Sequence, residues 1–403
     1  MSSDLQRRMA TAAIHAGEIH DPSGAHIAPI YQTSTFTFED MDAVKAWTSG
    51  ESEGYVYTRP GNPSRTALAR KIAALEGIGL GQESDTVKGE IFGSGMAAIS
   101  AALMGFAKAG DHIATQRVLY GSADGLISNV LTGYGITNSR IPGLEPEALE
   151  HDLETHPNTT VVYMETPANP TMLIIDIART AEIAHAHGAA LVVDNTFATP
   201  ILQRPLEQGA DVVVHSTTKY INGHGTVVGG AVVARDPEWM MDRIKPLVGG
   251  IGGVPSPFDC WLTNIGLKTL PLRMARHSES GMTVARHLDQ HPAVVATHYP
   301  GLPDDPGHEV AARQMDGFGA MIAFDLGSYD AATRLLDRVQ LAKLGVSLGN
   351  VDTLIQHPAS LTHRMVPPEE RAASGITDGL VRLSVGLEGV EDIIADLDHS
   401  LDG

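Results

Sequence analysis

The sequence predicts an α/β fold: a mostly parallel central sheet between helix layers, preceded by an arm and followed by a smaller α+β region. Short β-branched runs alternate with helical stretches through the middle of the chain, the pattern of a sheet covered on both faces. Polar or glycine-rich clusters follow several of those runs, where open α/β sheets place their ligands. After about residue 255 the alternation gives way to a long helical stretch and then mixed strands and helices.

Residues 1–62 read as an extended arm with only short β-like runs. It is rich in proline, glycine and hydroxyl residues and has little core of its own, so it is expected to wrap another subunit or the main body. It contains YVYTRPGNPSR, in which Tyr57 and Arg59 would share one side of an extended chain. An arginine beside a phenol suits a phosphate. TALARKIAALEG then gives an amphipathic helix, with Leu68, Ile72 and Leu75 on one face and Gly77 closing it.

EIFGSGMAAISAALMGF reads as strand, glycine turn and helix. Its small residues let backbone amides approach an anion at the helix N-terminus. The run resembles GxGxxA, but no acidic residue closes a second strand about 20 positions on, as a dinucleotide site requires. Strands follow at DHIATQ, Thr160–Met164, ALVVD and DVVVH, with helices in LYGSADGLISNVL and IARTAEIAHAHG. GTVVGGAVVARD gives a further strand, antiparallel at an edge or late in the sheet. A domain boundary is placed near 255, followed by a long helix broken near Pro271.

The stretch that organises the chain is DVVVHSTTKYIN, residues 211–222. A buried strand runs into hydroxyl side chains and then Lys219. Ser216 and Thr218 can donate to a phosphate. Lys219 can form a Schiff base with an aldehyde if a desolvated, cation-rich pocket keeps its amine partly neutral. Pyridoxal phosphate (PLP) needs both. Its ring nitrogen also needs a buried carboxylate, which Asp194 can supply, and Tyr120 could stack on the ring.

Together ETPANP, VVDNTF and HSTTKYINGHG resemble the Cys/Met-metabolism family of fold-type I PLP enzymes, over nearly the whole chain. The resemblance implies a PLP-binding α/β domain over 63–255, a C-terminal α+β domain over 256–403 and intersubunit contacts by the arm. It implies Lys219 as Schiff-base lysine and proton shuttle, Asp194 on the ring nitrogen and Tyr120 on the ring face. The Gly95 and Met96 amides, Ser216 and Thr218 would hold the phosphate. Tyr57 and Arg59 would reach it from a neighbouring subunit, which makes the active unit at least a dimer, with a dimer or a tetramer as the expected assembly. Asn169, Ser347 and Arg382 would orient the substrate; Tyr120 or Tyr57 would protonate a thiol leaving group.

Within the family, Val346 before Ser347 gives an apolar pocket, and TLIQHPASLTH resembles the methionine γ-lyases. The expected reaction is therefore α,γ-elimination from L-methionine. Ser122 and Thr226 depart from that lyase pattern, which leaves an O-acylhomoserine sulfhydrylase or a cystathionine γ-synthase or γ-lyase as alternatives. A nicotinamide-dependent oxidoreductase is a remote one that leaves Lys219, Asp194 and Arg382 without roles.

Composition narrows the partners. A net charge of −20 argues against nucleic acid and anionic membrane surfaces. No apolar run reaches the roughly 20 residues of a span, and the N-terminal residues lack the apolar core of a secretory signal. One cysteine, Cys260, allows no intrachain disulfide and fits a reducing, cytoplasmic setting. The histidines show no metal-site spacing, so no metal is expected.

Overall fold

The computed structural model describes residues 3–143, 145–364 and 366–402. Seven strands form the main sheet: β1 Lys88–Phe92, β2 His112–Gln116, β3 Thr137–Ile141, β4 Thr159–Glu165, β5 Ala190–Asp194, β6 Val212–His215 and β7 Gly230–Ala234. Their order is β1-β7-β6-β5-β4-β2-β3. Strands β2 to β6 are mutually parallel, and β7 pairs antiparallel with both β6 and β1. Being antiparallel to an antiparallel strand, β1 runs with the rest. The carboxyl ends of β1, β4, β5 and β6 therefore lie along one rim.

Side-chain alternation explains why these strands read as unbroken apolar runs. Val212 and Val214 join a cluster with Leu103 and Ile244 on one face. Val213 points the other way, into a cluster with Ile72, Leu75 and Leu267. Both faces are buried, so no polar position is needed between them. The helices carry ordinary start signals. Pro63–Glu76 begins with a proline in its first turn and Asn62 as N-cap, accepting from the Ser64 N–H. Gly95–Phe106 is capped by Ser94, whose side chain accepts from the Ala97 N–H.

A second sheet has the order β10-β11-β12-β9-β8, with β8 Ala296–His298, β9 Met321–Asp325, β10 Lys343–Leu344, β11 Leu354–Gln356 and β12 Leu380–Ser384. Phe324, Leu383 and Leu335 pack beneath it with Ile393 of the last helix, Val390–Leu401. Among the described residues no helix is long and apolar enough to cross a membrane.

Three parts of the sequence reading need correction. The arm is not extended throughout: it contains the helices Ser3–His15 and Met41–Thr48 and a single bridge, Thr35 to Tyr57. The late strand β7 is antiparallel as expected but lies inside the sheet, not at its edge. Strand β3 and the helix Pro146–Thr155 went unread. The long helix does break near Pro271, at Lys268 and Thr269 between Pro257–Leu267 and Leu270–Gln290, with Pro271 in the first turn of the second helix.

Candidate active site

A cavity of about 300 Å³ opens at the rim where β1, β4, β5 and β6 end. Its wall includes Gly95, Met96, Tyr120, Asn169, Asp194 and Ser216 from the main sheet's loops, together with Thr218 and Lys219. Ser347 and Arg382 join it from the second sheet. Of the twelve residues singled out from sequence, only Tyr57 and Arg59 are not part of this wall. They sit on the arm, Tyr57 exposed, with the Arg59 guanidinium 5.4 Å from the Tyr57 ring centroid. Arg59 lies in a turn and folds back over that ring, so the two do not project in parallel as an extended chain would make them. A larger hollow, about 430 Å³, lies behind Thr171 and Met172 and includes none of the twelve.

Lys219 follows β6 by four residues, and its Nζ donates to Ser347 Oγ at 2.9 Å. Burial, and then the Arg382 charge, bring its amine down to about 8. Such an amine has a substantial neutral fraction at physiological pH. Ser347 adopts φ = 85°, a left-handed conformation that L side chains rarely hold. The turn aims its hydroxyl at Lys219 while its carbonyl accepts from Arg382 Nη2 at 2.7 Å.

Arg382 is nearly buried at the middle of β12. Its Nη1 donates to Asn169 Oδ1 at 2.7 Å. Gln356 is its register partner across β11. With its amide oxygen facing the guanidinium, Gln356 accepts from Nη2, Nη1 and Nε at 3.0, 3.1 and 3.1 Å. Asn169 and the Ser347 carbonyl thus take N–H groups of the fork, while the Gln356 oxygen, nearly equidistant from the three nitrogens, lies over its face. Its charge has no carboxylate partner among the described residues, the arrangement of an arginine that awaits an anionic ligand.

Asp194 ends β5. Its Oδ1 accepts the Thr196 N–H at 2.9 Å, and its Oδ2 lies 3.4 Å from the Tyr163 hydroxyl. That hydroxyl is also 3.4 Å from Glu165 Oε1. Burial raises both carboxyls, and Glu165, pushed further by the Asp194 charge, well above the ordinary range. Glu165 also accepts the Tyr120 N–H with both oxygens, at 3.0 and 2.9 Å. Beside them, His215 Nε2 is 2.6 Å from Glu76 Oε1 in a fully buried pair. The His215 charge acts to lower Asp194.

Glu165, Tyr163, His215, Glu76 and Gln356 were not singled out from sequence. A signal existed for Glu165: it is the one charged residue of an apolar strand, which marks a buried carboxylate. His215 lay inside the organising stretch and was read only as its strand end.

The residues fit PLP. Gly95 opens the helix Gly95–Phe106, and a Cβ there would stand 2.9 Å from Ser216 Cβ, closing the space in front of the amides. That leaves an anion cup at a helix N-terminus, a carboxylate on the floor and a partly neutral lysine on the wall. The Thr218 hydroxyl is engaged with Gly229, donating to O at 3.2 Å and accepting from N at 3.0 Å.

The family model described as Cys/Met metabolism PLP-dependent enzyme matches residues 10–402. The chain belongs to this family. Members of the Cys/Met-metabolism family are PLP-dependent enzymes, and PLP is the cofactor here. An L-methionine gamma-lyase of Porphyromonas gingivalis is 48% identical, over 99% of this chain and 98% of that protein. A cystathionine gamma-synthase of Mycobacterium leprae is 43% identical, over 98% and 96%. A solved Campylobacter jejuni structure containing N'-pyridoxyl-lysine-5'-monophosphate has a TM-score of 0.92 at 31% identity, covering 98% of this chain and 100% of that one. The fold is therefore that of the PLP-dependent fold-type I enzymes.

Proposed function

We propose that this enzyme eliminates the γ-substituent of L-methionine, which with water yields 2-oxobutanoate, ammonia and methanethiol. The observation that carries the reading is that Val228, Val346 and Leu348 line the same cavity as Lys219 and give it an apolar part suited to a methyl thioether. The 48% identity to a methionine γ-lyase supports it.

PLP, when bound, supplies an electron sink for the charge that develops at the substrate's Cα. Asp194 would hold its ring nitrogen and Tyr120 its ring face. The Gly95 and Met96 amides, with Ser216 and Thr218, would hold the phosphate. Arg382 grips the substrate α-carboxylate as a two-pronged donor, held by Asn169 and the Ser347 carbonyl. The Lys219 amine, lowered by burial, takes the Cα proton and moves a proton at Cβ. Tyr120, or Tyr57 from a neighbour, protonates the departing sulfur. Val228, Val346 and Leu348 offer the thioether an apolar seat.

The assay is direct. Purified holoenzyme with L-methionine should release methanethiol and 2-oxobutanoate in equal amounts. Homocysteine formed from an O-acylhomoserine and sulfide, with no 2-oxobutanoate from methionine, would reverse the assignment to a sulfhydrylase.

The same reading makes the enzyme a cytoplasmic homo-oligomer, a tetramer built from dimers, with residues 1–62 crossing between subunits. Tyr57 and Arg59 lie outside their own chain's cavity, which supports it. Lys219→Ala and Arg59→Ala chains, each inactive alone, should regain about a quarter of wild-type activity when unfolded together and reassembled. No recovery would mean that each chain completes its own site.

A further inference from the structure

The buried carboxylate at the end of β4 has no role in the chemistry described above, and it touches both sides of the cavity. Glu165 is 4% exposed. No lysine or arginine forms an ion pair with it among the described residues. Its own N–H donates to Gln116 Oε1 at 2.8 Å, which fixes the strand end. Both carboxylate oxygens take the Tyr120 N–H, and the Asn169 backbone N–H acts to lower the same carboxyl. Tyr120 precedes a five-residue helix, Gly121–Gly125, for which no side chain provides a cap. Its ring is 39% exposed, so its placement depends on its backbone. Asn169 stands on the loop after β4 and holds Arg382 Nη1.

We propose that Glu165 is a positioning residue that joins the Tyr120 loop to the Asn169–Arg382 clamp, so that the cofactor's ring face and the substrate's carboxylate grip are set by one carboxylate. This rests on the roles assigned above to Tyr120 and Arg382. An apolar residue would satisfy the strand and avoid burying a charge. What only a carboxylate offers here is several acceptor sites on one rigid group, facing two N–H donors from different loops. The Tyr163 hydroxyl links it onward to Asp194, which would hold the ring nitrogen. A cationic ring nitrogen held by Asp194 would relieve the repulsion between the two carboxylates and favour the ionised, strongly accepting form of Glu165. Cofactor binding would therefore tighten both loops together.

The test compares Glu165→Gln and Glu165→Asp with wild type. The amide variant turns an N–H₂ group toward N–H donors, and the aspartate keeps the charge on a shorter arm. In wild type, adding PLP to the apoprotein should slow amide hydrogen exchange in residues 117–122 and 166–171 together. In Glu165→Gln that joint protection should fall at least tenfold, and the apoprotein's Kd for PLP should rise about tenfold. KM should rise tenfold or more for whichever amino acid the wild type turns over, so the result stands whatever the preferred substrate. Glu165→Asp should recover part of each effect. Exchange, Kd and KM all within twofold of wild type would overturn the proposal. So would a variant whose only defect is a lower melting temperature. If Glu165→Gln does not fold, Glu165→Asp decides alone: a wild-type KM and joint protection would equally overturn it.

Discussion

Lys219 shows how one residue's chemistry follows from its surroundings. Its amine sits at about 8, compared with 10.5 for an ordinary lysine, because burial first and the Arg382 charge second disfavour the ammonium form. A neutral amine attacks an aldehyde and an ammonium does not, so capture of PLP by the apoprotein should accelerate as pH rises through about 8 and then level off. A stopped-flow pH series reads this; a rate still climbing tenfold per pH unit between 9 and 10 would show the lysine unperturbed. At this scale much of the site was legible. Lys219, Asp194 and Asn169 each follow a β-branched run, and the run itself reveals the rim. Glu165 and Tyr163 were not, because their importance lies in bonds to Tyr120 and Asp194, residues that the chain brings near only through the pairing of β4 with β2 and with β5. Arg382 could be read, but its support by Gln356 depends on register across β11 and β12, which pattern alone does not specify.

Among the elements, the helix Pro63–Glu76 links arm and sheet. Its cap, Asn62, is almost fully buried, accepts from Ser64 N–H and donates to Tyr31 O and Thr58 Oγ1 at 2.9 and 3.0 Å. Asn62→Ala should cost about 1–2 kcal/mol. It should appear as a melting temperature lower by a few degrees, with greater protease sensitivity around Tyr31 and Thr58. An unchanged melting curve would mean that the proline start suffices. The strands that were read correctly are those buried on both faces. Strand β3, TNSRI, escaped because it is a half-exposed edge of polar residues, with Ile141 its only fully buried side chain. The helices hidden in the arm escaped for a related reason: Met41–Thr48 buries no residue, so no apolar stripe betrays it.

Across the molecule, the core and the arm are coupled through a buried ion pair. Arg65 Nε lies 3.1 Å from Glu90 Oε1, both nearly inaccessible, and Lys245 joins the same carboxylate. The Arg65 guanidinium also donates to the carbonyls of Thr58, Arg59 and Pro60, the turn that carries Arg59. Glu90→Ala strands a buried cation and should destabilise the fold by about 3–5 kcal/mol, read as a lower denaturant midpoint. Full stability would show that the three carbonyls alone satisfy Arg65. The two-sheet organisation followed from the change in pattern after residue 255, while the order of the strands did not, since crossover connections leave no mark in composition. Cys260, the chain's single cysteine, is 1% exposed, and burial pushes its thiol up to about 12. An alkylating probe or a small disulfide therefore finds no reactive sulfur on the native surface. One cysteine introduced on an outer helix thus becomes a unique attachment point for a dye or a bead.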